Sequence, residues 1–189
     1  LTFAAALLAS LCGCGGGSGA VGSTSTTPTT PPSIATPTST GYFASGDAQL
    51  HYQLDLPAPG GGPFRAVVFG HGSGQVTKAD GAVHVPFWLG QGFAVLRYDK
   101  RGAGQSTGSY RGVSIANSEA QIAELAGDML AGVAFLKARP DIFAGRIGLT
   151  GVSQAGWVMV AATSLGSDVR FVVALVGSAM PVGTNIAWE

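Results

Sequence analysis

A serine placed where a strand turns directly into a helix restricts this chain to few folds. Residues 146–156 read Arg-Ile-Gly-Leu-Thr-Gly-Val-Ser-Gln-Ala-Gly. A short apolar run ends there, and an apolar, Ala-rich, helix-compatible segment follows at once. Small residues two before and two after Ser153 let strand and helix meet around a tight turn that pushes the hydroxyl clear of the sheet. Gly151 and Ala155 keep the two elements from colliding, and Gly156 completes the small-residue pattern. Ser153 is therefore a candidate nucleophile for acyl transfer. Serine is also common as a helix N-cap, so the rest of the chain must decide between the two readings.

The surrounding pattern alternates strand and helix. Residues 48–56 alternate apolar and polar, as in a half-exposed antiparallel strand, and a Pro/Gly turn follows at 57–63. Continuous apolar runs at 65–69, 93–98, 147–150 and 171–176 read as buried strands. Residues 116–138 place Ile122, Leu125, Met129, Val133 and Leu136 at helical spacing, with Pro140 as the stop. Residues 154–165 read as the helix that leaves the turn. Fully apolar strands separated by helices predict a mostly parallel sheet covered on both faces. Active sites in such sheets lie beyond the carboxyl ends of the strands. Ser153 and two glycine-rich loops fall at such ends.

Composition excludes several functions. With 189 residues and 46% hydrophobic content the chain can bury one sizeable core. Charged residues make up 11%, ten basic against ten acidic, which leaves no basic field for nucleic acid. A dinucleotide fingerprint from Gly70 or Gly102 would need glycine where Gln75 and Thr107 stand. His51 and His84 are widely spaced from His71 and lack nearby carboxylates in sequence, so no metal site is expected, and no cofactor. Asp99 and Arg101 read as braces of their own loop, and Asp168 as a turn or cap residue. Trp157, Phe87 and Trp88 read as packing residues more than as pocket walls.

The first residues read as an export signal. Residues 1–11 are apolar and rich in small side chains, too short to span a bilayer. Leu11-Cys12-Gly13-Cys14 resembles a bacterial lipobox, which implies cleavage before Cys14 and lipid attachment to it. Cys12 fits less well after bulky Leu11, and a plain secretory signal is the alternative. The expected organisation is a partial signal peptide at 1–13, a Gly/Ser/Thr/Pro-rich disordered tether at 14–41, and a folded domain at 42–189. The tether has little apolar surface with which to offset the entropy of ordering. The expected location is the bacterial cell envelope, exported and anchored to the membrane through lipid.

Three motifs in order resemble the α/β-hydrolase family over residues 48–176. They are His71-Gly72-Ser73-Gly74 after one strand, Asp99-x-Arg101-Gly102-x-Gly104-x-Ser106 after the next, and the serine turn after the third. Among its branches the chain looks most like bacterial exported hydrolases related to the serine-aminopeptidase and dienelactone-hydrolase-like groups. The resemblance implies an α/β-hydrolase fold, here cut after about the sixth strand. It implies an oxyanion hole made by the backbone N–H groups of Ser73 and Gln154, with Gly72 and Gly74 allowing close approach of the backbone. His71 then has a structural, hydrogen-bonding role. The family's chain order is Ser, then Asp or Glu, then His, yet all three histidines here precede Ser153. The expectation is that the chain is part of a longer serine hydrolase acting on small-molecule esters. A serine peptidase, or a non-catalytic surface lipoprotein of the same fold, is the alternative. The segment around 180–189 would begin the cap that shapes the substrate pocket.

Overall fold

Apolar runs that need cover on both sides become the parallel centre of a single sheet. The computed structural model describes residues 37–59 and 61–177. Its strands are β1 (Thr38–Ser45), β2 (Ala48–Asp55), β3 (Phe64–Gly70), β4 (Phe93–Tyr98), β5 (Ile142–Val152) and β6 (Val172–Leu175). They lie in the order β1-β2-β4-β3-β5-β6. β3 runs parallel to β4 and β5, and β5 parallel to β6. β1 and β2 form an antiparallel hairpin that joins antiparallel to β4.

The pleat sends alternate side chains to two different cores. Ala66 and Val68 of β3 and Ala94 and Leu96 of β4 face helices α2 (Ser118–Lys137) and α3 (Ala155–Leu165) in the larger core. Val67 and Val95, between them, face Val85 and Trp88 of the short helix α1 (Val85–Gly90) on the other side. The predicted stripe of α2 is fully used: Ile122, Leu125, Met129, Val133 and Leu136 are all buried. Each large apolar side chain so buried stabilises the fold by about 1.5–3 kcal/mol. The helix ends at Lys137, three residues before Pro140. Helices thus cover both faces, the α/β architecture expected from the sequence.

Three elements differ from the sequence reading. β6, read as a buried strand, lies at the edge of the described sheet, and its Val172, Val173 and Ala174 are exposed. Residues 38–41, read as the end of the tether, belong to β1, where Thr38 pairs with Asp55 and Gly41 with Tyr52. A polar strand is stable there because its backbone is paired by β2 and its first three residues face water. α1 was not expected at all. It follows a single 3-10 turn at Ala82–His84 and has Pro86 in its first turn. The expected signal peptide at 1–13, Cys14, the tether up to residue 36 and the expected cap segment at 180–189 lie outside the described residues. Among the described residues no helix is long and apolar enough to cross a membrane.

Candidate active site

The ends of β3, β4 and β5 place three loops side by side, and the serine turn is the most constrained of them. Ser153 adopts φ +53°, a left-handed conformation that non-glycine residues rarely take. Close packing enforces it. A Cβ on Gly151 would lie 2.6 Å from both the Gly70 carbonyl oxygen and Ala155 Cβ, so β5 can approach β3 and α3 only with glycine there. The Ser153 N–H donates to the Val176 carbonyl at 2.9 Å, which ties the turn to the residue after β6. The first turn of α3 closes with Gly156 N–H donating to the Ser153 carbonyl at 2.9 Å. A serine in a left-handed turn, held by the close approach at Gly151 and by these two hydrogen bonds, is the arrangement that the sequence pattern predicts.

The His71–Gly74 loop lies against this turn. A Cβ on Gly72 would come within 3.8 Å of Ser153 Cβ, which puts the loop backbone beside the serine side chain. Gly74 has φ +91° and turns the loop away again. Among the described residues, neither the Ser73 N–H nor the Gln154 N–H donates to a protein acceptor. Gly156 approaches Gly177, its added Cβ falling 3.4 Å from Gly177 Cα, so it packs the start of α3 against the chain after β6.

His71 is a brace, as read from the sequence. It is buried, and its Nε2–H donates to the Tyr98 carbonyl at 2.6 Å. Burial, helped by the nearby Lys100 ammonium, pushes its pKa down from 6.5 to about 4, against the hydrogen bond to Tyr98. The imidazole is therefore neutral, with one nitrogen committed to structure. His84 stacks on Phe69 with ring centroids 5.2 Å apart. His51 differs from its sequence reading, because the fold brings Asp99 to it. Its Nδ1 lies 3.3 Å from Asp99 Oδ2 and 2.8 Å from Lys78 Nζ.

Asp99 does brace its own loop, accepting from the Gln105 N–H at 3.0 Å, but it also holds the Lys78 N–H at 2.9 Å. Burial alone would raise its carboxyl; the hydrogen bonds from Gln105, Lys78 and His51 outweigh that and hold it below the ordinary value. Arg101 does not brace its own loop. It reaches α2, where Nε and Nη2 meet the two Asp128 oxygens at 2.9 and 2.7 Å and Nη1 meets Glu124 at 2.5 Å. Among the described residues Asp168 caps no helix; it pairs with Lys137 at 2.7 Å. Trp88 is buried in the core under α1, Trp157 packs beside the larger core, and Phe87 is exposed.

Two residues not singled out from the sequence complete the site. The Lys100 ammonium donates to the Gly72 carbonyl at 2.6 Å, the Gly74 carbonyl at 2.9 Å and Gln154 Oε1 at 3.1 Å. It also lies 4.4 Å from the centre of the Tyr110 ring. The Tyr110 hydroxyl oxygen accepts from the Gly74 N–H and from Gln154 Nε2, each at 3.3 Å. Lys100 is 2% exposed, and burial pushes its pKa from 10.5 down to about 8, opposed by Asp128 and Asp80. A lysine inside a glycine loop, in a chain with so few charges, was the one available signal. Among the described residues no cluster of three or more His, Cys, Asp or Glu side chains could hold a metal ion.

Comparison with known proteins agrees with this fold. The sequence pattern of the family described as X-Pro dipeptidyl-peptidase (S15 family) matches residues 26–183. Among solved structures, the hypothetical protein PA2218 from Pseudomonas aeruginosa is similar, with a TM-score of 0.66 and 25% identity over 80% of this chain and 46% of that one. The esterase Pf2001 from Pyrococcus furiosus gives a TM-score of 0.62 at 22% identity, over 78% of this chain and 54% of that one. The alpha/beta hydrolase GrgF from Penicillium sp. sh18 gives 0.60 at 23% identity, over 75% and 46%. The chain spans about half the length of these structures. No curated protein matches it. With most of its residues matched by one family pattern and its sheet shared with these structures, the chain belongs to the X-Pro dipeptidyl-peptidase (S15) family of α/β hydrolases.

Proposed function

We propose that the protein is a serine hydrolase that cleaves carboxylic esters through an acyl-enzyme on Ser153. The observation behind this reading is the φ of +53° at Ser153, on a turn that admits no side chain at Gly151. Strain of this kind persists only where the surroundings over-determine it, and it clusters at active sites. In the reaction the Ser153 oxygen attacks the ester carbonyl carbon and the carbonyl oxygen becomes an oxyanion. The N–H groups of Ser73 and Gln154 stabilise that charge. The alcohol leaves with a proton, and water then attacks the acyl-serine, releasing the acid and restoring the hydroxyl. Each oxyanion donor contributes about 2.7–4 kcal/mol in comparable enzymes.

The mechanism also requires a base, since an unassisted serine is a weak nucleophile. None of the three histidines fits: His71 is held by Tyr98, His51 by Lys78, and His84 is stacked on Phe69. The 189-residue chain alone is accordingly inactive in this reading, and a purified 1–189 chain that hydrolysed p-nitrophenyl acetate in a Ser153-dependent way would overthrow that part. For the full-length protein the test is labelling by a fluorophosphonate, expected in the wild type and lost in Ser153→Ala. Absence of labelling in a folded wild type would favour a non-catalytic protein of this fold.

Peptide hydrolysis is the second reading, favoured by the description of the matched family. An X-Pro-p-nitroanilide turned over faster than p-nitrophenyl esters would decide for it. We further propose that lipid on Cys14 anchors the protein at the bacterial cell envelope, on the lipobox-like residues 11–14. Radiolabelled palmitate that entered a Cys14→Ala variant as well as the wild type would exclude this anchor.

A further inference from the structure

Resting on the serine-hydrolase reading, we propose that Lys100 is a positioning residue for the oxyanion hole, clamping both of its walls through the Gly72 and Gly74 carbonyls and the Gln154 side chain. An ammonium has three N–H donors and no acceptor. Here all three donors are matched to three acceptors, two on the His71–Gly74 loop and one on Gln154. Among the described residues no carboxylate makes a hydrogen bond or ion pair with the ammonium. A buried cation held by carbonyl dipoles is an expensive way to stabilise a fold, so its placement calls for another explanation.

Peptide geometry supplies that explanation. In a trans peptide unit the C=O and the following N–H point in opposite directions. The Gly72 carbonyl and the Ser73 N–H belong to one such unit. Pulling the carbonyl oxygen inward onto Lys100 therefore turns the Ser73 N–H outward, on the side of the loop away from the ammonium. The Gly74 carbonyl is held by the same ammonium, so the loop is fixed at two points and cannot swivel about Gly72. Gln154, whose own backbone N–H is the second donor, is fixed through its side chain. Tyr110 joins the same two walls from outside, its hydroxyl accepting from the Gly74 N–H and from Gln154 Nε2. The glycines that let backbone approach the substrate would otherwise leave this loop free to move. Lys100 replaces that freedom with a preorganised donor pair, and preorganisation is what makes such donors effective.

The titratable and charged groups around Lys100 are Asp128 on α2, Asp80 and His71 in the chain after β3, and Tyr110. Once deprotonated, Lys100 has two N–H groups for three acceptors, and one of the three contacts of the clamp is lost.

The test compares wild type, Lys100→Met and Tyr110→Phe in the full-length protein. It measures kcat and KM for p-nitrophenyl acetate against pH, together with amide hydrogen exchange in residues 71–76. Lys100→Met is expected to lower kcat about 10²-fold, the effect of losing one oxyanion donor, with KM within about threefold. Exchange in the loop is expected to rise at least about tenfold, as local opening of an unpinned segment does. The wild-type kcat should fall above about pH 8, and that limb should vanish in the variant. A folded Lys100→Met protein with wild-type loop exchange and kcat within about twofold would overturn the proposal. Should Lys100→Met fail to fold, Tyr110→Phe decides: faster loop exchange with lower kcat supports the clamp, and no change in either refutes it. If the wild type neither turns over ester nor labels at Ser153, the hydrolase reading fails, and with no oxyanion hole to position the proposal fails with it. Loop exchange then reports only whether Lys100 orders the loop.

Discussion

Lys100 and Arg101 are adjacent in the chain, almost equally buried, and used in opposite ways. Arg101 turns toward α2 and meets Asp128 through two parallel hydrogen bonds, with Glu124 as a third contact. Its partners are carboxylates, and the Asp128 hydrogen bonds raise its already high pKa. Lys100 turns the other way, beneath the loop that borders Ser153, and meets only carbonyl oxygens and an aromatic face. Its pKa falls to about 8. One cation is neutralised where it lies and ties a helix to the loop after β4. The other stays short of countercharge, a cost that makes sense only beside a site that uses the field or the geometry.

The sharpest way to break this comparison is to remove the countercharge from Arg101. Asp128 is fully buried, so Asp128→Ala takes the bidentate partner from a buried guanidinium and leaves it only Glu124 and, at 3.5 Å, Asp47. The expected loss is about 3–5 kcal/mol by urea unfolding. Replacing both partners by apolar residues, as in Arg101→Met with Asp128→Leu, should recover most of it. A single variant that lost less than about 1 kcal/mol would mean that the pair contributes nothing to stability, and the contrast with Lys100 would collapse.

The two buried bases of the site make the next prediction, through pH. The folded pKa of Lys100 lies below its unfolded value of 10.5, so between about pH 8 and 10.5 the unfolded chain binds more protons. Stability contributed by this group therefore rises with pH across that window, by about 3 kcal/mol at most. His71, lowered from 6.5 to about 4, acts in the same direction on the acid side: stability is lost as pH falls from about 6.5 to 4. Urea midpoints measured from pH 4 to 10.5 should show both slopes. Lys100→Met should remove the alkaline slope alone, and an unchanged alkaline slope in that variant would show that Lys100 is not the group responsible.

A backbone contrast of smaller size separates the serine turn from the hairpin turn. Gly151 has the Gly70 carbonyl and Ala155 Cβ within 2.6 Å of where a Cβ would stand, whereas Gly46, at φ +58°, has nothing within 4 Å. Gly151→Ala is an overpacking change, expected to cost about 1–3 kcal/mol and to reduce fluorophosphonate labelling per folded molecule. Gly46→Ala strains only its own backbone, at about 1–2 kcal/mol, and should leave labelling unchanged. Equal labelling in both variants would detach the turn's packing from the reactivity of Ser153.

What the sequence made legible divides along the same line between local and distant causes. The serine turn was readable because its constraint is local: the residues two before and two after Ser153, Gly151 and Ala155, must be small for strand and helix to meet. The α2 stripe was readable because period alone sets which face is buried, and β3 and β4 because an unbroken apolar run needs cover on both faces. β1 was not, since Thr38, Ser39, Thr40 and Gly41 look like linker until β2 supplies their hydrogen bonds. α1 is six residues long, too short to display a helical period. The partner of Arg101 stands 27 residues away on another element, and the contact between Lys100 and Gln154 spans 54. Nothing in the composition of a loop tells which of two neighbouring cations will turn toward a carboxylate. The missing signal was tertiary.

An exposed pair sets the lower end of the scale against which Arg101 and Lys100 are measured. Lys137 and Asp168 meet at 2.7 Å, as close as the buried Arg101 and Asp128, yet their side chains are 37% and 47% exposed. Water screens the attraction, and holding two long side chains in one geometry costs rotamer entropy, so distance alone overstates the interaction. Lys137→Ala is expected to shift stability by about 0.2–1 kcal/mol, in the range measured for exposed pairs, and less at high salt. Lys137 also stands in the last turn of α2, where a cation favours the helix dipole. Asp168→Ala removes the pair and leaves that term intact, so it should cost less than Lys137→Ala in the same urea titration. Were Asp168→Ala to cost as much as Asp128→Ala, burial would not be what distinguishes the ion pairs of this protein, and the reading of Arg101 as a structural cation would lose its physical basis.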